Sequence, residues 1–208
     1  MNEVAFRLLL PCCLLAGVMI LALKRWSVLR STQRDPIRAA ASRDTMSPSG
    51  FAEAVLLTGT IALAIDVVLR AAWPREMEHL MTVPALREAV ALRWSGFLAM
   101  LLGLGVYFTG LVGMGSSWRI GIDRDLPGPL VVSGVFARVR HPLYAGILLA
   151  TLGFVVLAPD LLSIAAAAGV WTAVPVQARL EEEFLAARHP EYERYRAGTG
   201  RFVPKWRK

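Results

Sequence analysis

The 208-residue chain is 55% hydrophobic with a mean hydropathy of +0.49, which excludes an ordinary water-soluble domain of this size and implies an integral membrane protein. Its pI near 10.1 and formal charge of +7 would suit a nucleic-acid binder, but no nucleic-acid motif is present. The basic residues lie between apolar runs, where membrane topology and anionic headgroups account for them. The two cysteines, Cys12 and Cys13, are adjacent inside an apolar run, which excludes a bridge between them and a metal site of CxxC spacing.

The first apolar run, residues 4–23, is interrupted only by Arg7 and Pro11 and closes on Lys24-Arg25-Trp26. A basic cluster stops transfer where a cleavable signal would end in small residues, so this is read as a retained span. Residues 24–50 are basic and are expected at the cytoplasmic face as a surface helix or without fixed structure. A second span covers residues 51–73. Its Asp66 and Arg70 stand four apart on one helical face, the spacing of a self-contained ion pair near the outer boundary. Residues 74–92 form a mixed-charge outer loop.

The third span, residues 94–113, sets Gly96, Gly103 and Gly110 seven apart, a seam of small residues on which a neighbouring helix can close. After a cytoplasmic segment over residues 114–141 come two short spans, 143–157 and 161–178, joined at Ala158-Pro159-Asp160 as a tight helical hairpin. The fourth is too short for a ~30 Å hydrocarbon core, so its His141 end is expected at or just inside the cytoplasmic leaflet. Pro175 is expected to kink the fifth. From Arg179 the helix continues as a polar cytoplasmic segment that Pro190 ends.

These runs give an all-α membrane protein of about five spans, with a three-span amino-terminal region (1–113) and a chemistry-bearing region (114–208). Eighteen of the 23 basic residues fall in 24–50, 114–141 and the tail after residue 178. The positive-inside tendency then places the amino terminus outside and the carboxyl terminus in the cytoplasm. Arg- and Ala-rich usage and short loops point to a prokaryotic cytoplasmic membrane.

Polar chemistry collects at two places. Pro142 opens a helix directly after Arg140 and His141, and a helix start of this kind leaves backbone N–H groups to hold an anion or a zwitterion. Tyr144 adds a hydroxyl, and Gly146 a gap beside which a planar ligand could lie. On the fifth helix Arg179 lies about 40° from Glu183 and about 60° from Glu182, so both acids can flank it, while Glu181 points elsewhere. The hairpin returns this cluster to the membrane face of His141, making one cytoplasmic pocket.

At these residues the chain resembles the isoprenylcysteine carboxyl methyltransferases and their bacterial relatives, including phospholipid methyltransferases. The run Gly134-Val135-Phe136-Ala137-Arg138-Val139-Arg140-His141-Pro142-Leu143-Tyr144-Ala145-Gly146 carries one motif. Glu181-Glu182 with Leu185, Tyr192, Tyr195, Arg201 and Pro204 carries a second, and together they cover roughly residues 128–206.

The resemblance implies S-adenosylmethionine as methyl donor and S-adenosylhomocysteine as product, with no metal. Arg140, His141, Pro142, Leu143, Tyr144, Gly146, Glu181 and Glu182 would line the cofactor site. Arg179 is the local candidate for holding the acceptor and Glu182 for assisting a proton transfer. The implied partners are the bilayer and a small or lipophilic acceptor. Two other classes remain beside it: an NADPH-dependent sterol-reductase-like enzyme and a non-catalytic membrane scaffold or binding protein.

Overall fold

A computed structural model describes residues 3–33, 35–36, 47–81, 90–118 and 129–205. Among them the regular elements are helices: α1 (Glu3–Thr32), α2 (Pro48–Ala72), α3 (Pro74–Met81), α4 (Val90–Gly113), α5 (Pro142–Leu157), α6 (Leu161–Arg188) and α7 (Tyr192–Gly198), with 3₁₀ turns at Gly115–Ser117 and Gly134–Ala137. Four are long and apolar enough to cross a membrane (Leu8–Thr32, Pro48–Ala72, Val90–Gly113 and Leu161–Arg188), and α5 is a shorter apolar helix. The all-α membrane architecture expected from hydropathy is thus present.

Local chemistry sets the helix starts. Ser47 caps α2, its Oγ accepting from the Gly50 N–H at 3.1 Å, and Pro48 follows in the first turn, where a missing N–H costs nothing. Asp160 caps α6 in a reciprocal box: the Ser163 N–H donates to Asp160 Oδ1 at 2.8 Å and the Asp160 N–H reaches Ser163 Oγ at 3.2 Å. This box makes the turn from α5 to α6 short and rigid.

Three boundaries differ from the hydropathy reading. α1 does not stop at the Lys24-Arg25 cluster but runs to Thr32, where Arg30 lies over the Trp26 ring and Arg25 pairs with Asp35 at 2.6 Å. Exposed basic residues are good helix formers, so the polar end extends the apolar helix rather than ending it. Part of the segment 74–92, expected as an outer loop, is helical as α3. α6 continues through Pro175, whose ring faces outward, down to Arg188. The expected cytoplasmic residues 37–46 and 119–128 and the outer residues 82–89 lie outside the described residues.

α5 packs chiefly on α4, and α6 chiefly on α2. The glycine seam explains the first pairing. A Cβ on Gly96 would stand 2.7 Å from the Leu157 N and 2.8 Å from the Gly153 O, and one on Gly103 would meet the Gly146 O at 2.7 Å. Gly146 and Gly153 of α5 reciprocate against Tyr107 and Met100, so both helices supply small residues and their backbones touch. Apolar packing at the hairpin-tip end joins Leu10 of α1, Val67 of α2, Met100 of α4 and Phe154, Leu157 and Ala158 around the hairpin.

Candidate functional site

α5 and α6 run antiparallel, and this brings His141 and the glutamates of α6 to one end of the bundle. The segment before α5 is fixed by the tail. Val139 and Gly200 form an isolated parallel bridge; the Arg140 N–H donates to the Gly200 O at 2.8 Å, the His141 N–H to the Arg201 O at 3.0 Å and the Gly200 N–H to the Arg138 O at 3.2 Å. The Arg140 and His141 amides, two of those expected to face an anion, are therefore taken up by the tail. Gly200 is a glycine for a steric reason: the Val203 carbonyl sits where a Cβ would be. The Tyr195 hydroxyl donates to the Phe136 O at 2.7 Å and pins α7 over the same turn.

Glu182 is the hub of the side chains. It is 3% exposed, and its Oε1 accepts from Arg140 Nε at 3.0 Å, Arg201 Nε at 3.0 Å and His141 Nε2 at 3.2 Å, while Oε2 accepts from Arg201 Nη2 at 2.7 Å. Arg140 also donates to the Arg196 carbonyl at 3.2 Å and to that of Thr199. Burial by itself would raise the Glu182 carboxyl, but the hydrogen bonds from His141, Arg201 and Arg140 outweigh it and hold the group well below the usual carboxylate range.

Glu181 faces the other side of the imidazole. His141 Nδ1 is 3.4 Å from Glu181 Oε2, and the Tyr144 hydroxyl donates to Glu181 Oε1 at 2.8 Å. A ring that meets carboxylates at both nitrogens is satisfied only as imidazolium. Burial works to lower the His141 pKa, yet the bonds and charges of the two glutamates prevail and raise it. The Tyr144 ring stacks on His141 with centroids 5.6 Å apart.

Below them the Tyr192 hydroxyl is buried with no hydrogen-bond partner among the described residues, in the field of Glu182 and Arg140, and burial foremost raises its pKa. Burial likewise pushes Tyr195 up to about 12.

The residues expected at the site divide into two groups. Arg140, His141, Tyr144, Glu181 and Glu182 converge. Pro142, Leu143 and Gly146 face α4 instead: a Cβ on Gly110 would lie 2.6 Å from Leu143 Cδ1 and 3.1 Å from Pro142 Cγ, and one on Gly146 would lie 2.5 Å from the Tyr107 N. The gap expected beside Gly146 is filled by a helix backbone.

Arg179 also stands apart. It bonds Glu183 at 2.9 Å on an open face, with 74% of its side chain exposed, and does not share Glu182. The buried stripe of α6 runs through Val174, Gln177, Ala178 and Glu182, and Arg179 falls outside it. Arg201, not Arg179, pairs with Glu182, and Glu181, which points away from Arg179 as expected, faces His141. The spacing of α6 could not show either, although Arg201 and Tyr192 belong to the tail signature.

Residues 96–187 match the model of the isoprenylcysteine carboxyl methyltransferase (ICMT) family, from the start of the glycine seam to the end of α6. The cobalt-zinc-cadmium resistance protein CzcN of Cupriavidus metallidurans is 33% identical over 117 residues, 54% of this chain. The match spans about half, 54%, of the length of that protein. By sequence, residues 96–187, which hold α5 and most of α4 and α6, are similar to the ICMT family.

Proposed function

We propose that this protein is a membrane methyltransferase that uses S-adenosylmethionine to methylate a small or lipophilic acceptor reached from the bilayer. The observation that carries the reading is the cluster of His141, Glu181, Glu182, Arg140 and Arg201 at the mouth of the α5–α6 hairpin, within and beside the segment that matches the family. The donor set suits a zwitterionic cofactor. Glu181 and the Tyr144 hydroxyl suit an ammonium, the outward part of Arg201, 40% exposed, suits a carboxylate, and the unpartnered Tyr192 hydroxyl is a buried polar group that a ligand could satisfy.

Bound there, S-adenosylmethionine supplies a sulfonium methyl group for in-line displacement and leaves as S-adenosylhomocysteine. The protein's part is alignment and exclusion of water. The strap from α7 through Gly200 closes the site from the cytoplasmic side, and α5 bounds it towards the bilayer. His141, held as imidazolium, and Glu182, saturated by three cationic donors, set charge and position rather than exchange protons; this moves the earlier expectation of Glu182 as a base to one of a strut. Arg201 is placed better than Arg179 to orient an anionic group. We orient the chain with this cluster in the cytoplasm of a prokaryotic cell, in keeping with its basic loops.

S-adenosylhomocysteine should raise the melting temperature of the purified protein, and membranes given an isotopically labelled methyl donor should yield a labelled product identifiable by mass spectrometry. Absence of any shift at millimolar cofactor would sink the proposal. One observation favours a scaffold as the second reading: the cluster satisfies itself through the chain's own groups. On that reading His141→Ala and Glu182→Ala lower stability while no adenosyl ligand ever shifts it.

A further inference from the structure

At the other end of the bundle Asp66 of α2, Arg70 of α2 and Asp160 of the hairpin turn form a second buried cluster. Arg70 Nε donates to Asp66 Oδ2 at 2.9 Å, and Arg70 Nη2 donates to Asp160 Oδ2. Both acids are 0% exposed and the Arg70 side chain is 14% exposed. Asp160 Oδ1 is engaged by the Ser163 N–H, whereas Asp66 Oδ1 is buried without a hydrogen-bond partner among the described residues.

Nε and Nη2 are the two donors on one edge of a guanidinium, the fork that a single carboxylate ordinarily grips with both its oxygens. Here the fork holds one oxygen from each of two carboxylates, so the two Oδ2 atoms sit side by side. Two full negative charges cannot be sustained at that separation out of water. One guanidinium also leaves the cluster one negative charge in excess.

A single proton resolves both problems at once. It neutralises the excess, it can lie between the neighbouring oxygens, and it turns Asp66 Oδ1 from a bare carboxylate oxygen into a carbonyl oxygen, whose burial without a partner costs far less.

We propose that Asp66 and Asp160 bind one proton between them, forming with Arg70 a neutral latch that fastens α2 to the α5–α6 turn. Among the described residues, few titratable groups belong to the elements packed around it. On α1, Cys13 packs at the edge of the adjoining apolar cluster; on α3, Arg75 and Glu76 are exposed; on α4, Arg93 is half-buried and engaged in an interaction of its own. From α6 the uncharged Ser163 bonds Asp160. The side chains of Glu3 and Arg7 lie outside the described residues.

Infrared spectroscopy of the full-length protein in detergent or lipid discs tests the latch. At pH 7 the wild type should show a protonated-carboxyl band that shifts in heavy water and disappears in both Asp66→Asn and Asp160→Asn, since either amide leaves the other acid free to ionise against Arg70. Asparagine caps a helix about as well as aspartate, so Asp160→Asn keeps the α6 start. No band in the wild type, persistence in both variants, or loss in only one would overturn the proposal.

Thermal unfolding supplies a second measurement that does not need Asp160→Asn to fold. Between pH 5 and about 6.5, above ordinary carboxylates and below ordinary histidine, a group that keeps its proton only in the folded state makes stability fall as pH rises. The wild-type melting temperature should decline across that window and the Asp66→Asn one should stay level. Equal slopes would overturn the latch.

Discussion

The two ends of the helix bundle each bury an arginine between acidic side chains, and they resolve the charge in opposite ways. At the hairpin mouth, Arg140, Arg201 and His141 face Glu181 and Glu182, so cations are in excess and part of Arg201 stays open to solvent. At the hairpin tip, one arginine, 14% exposed, serves two fully buried aspartates, so anions are in excess and neither carboxylate opens outward. An open cluster with surplus positive charge and a free guanidinium face is suited to a ligand. A sealed cluster with surplus negative charge is suited to a proton and to holding helices together. On these readings, charge balance and access, not the mere presence of ionisable residues in a membrane helix, separate the proposed site from the proposed fastening.

Experiments can sharpen or break that contrast. The largest effect is expected from Glu182→Ala, which leaves Arg140, His141 and Arg201 facing one another without their anion. Unmatched buried charge of this kind costs about 3–5 kcal/mol, read as a collapse of thermal stability with release of the tail strap to proteolysis. A variant that melts like the wild type would show that Glu182 is no hub. Gly146→Leu should come next, at about 1–3 kcal/mol, because its side chain must displace the Tyr107 backbone and carry His141 with it. Chemical-shift or fluorescence changes confined to the hairpin tip would contradict this.

Smaller effects discriminate more finely. His141 has a raised pKa in the fold, so its contribution to stability is complete below the ordinary value of 6.5 and is lost as pH rises through the raised one. Melting temperature should therefore fall from about pH 6.5 upward even in Asp66→Asn, and Glu181→Gln should flatten that fall; an unchanged slope would show that the second carboxylate does not hold the imidazolium. The smallest effect is expected from Arg179→Ala. An exposed i, i+4 pair contributes little, so stability should not change measurably and labelled methyl transfer should persist, whereas Arg201→Ala should suppress it. Lost turnover in Arg179→Ala alone would return the acceptor role to Arg179.

Much of the architecture was legible in the chain. Hydropathy marks the apolar helices, the seven-residue glycine spacing marks the α4 face on which α5 closes, and Asp66 pairs with Arg70 as its spacing announces, although Asp160 shares the arginine and the pair is not self-contained. Arg140-His141 and Glu181-Glu182 were legible as one site because a tight turn between antiparallel helices allows only one arrangement of their far ends. Arg201 was not, since its contact with Glu182 depends on how seven residues of α7 fold the tail back across Val139. Asp160 reads as an ordinary turn residue until α2 brings Arg70 to it.

By itself the sequence determined where helices start, which are apolar, and which faces could approach closely, because capping, hydropathy and glycine spacing act over a few neighbouring residues. Tertiary structure alone decided which charges meet. Arg140 reaches across 42 residues to Glu182 and Arg70 across 90 to Asp160, and no local rule ranks such partners. Their pairing follows from helices locked at backbone contact, which leaves a buried charge few other groups to meet.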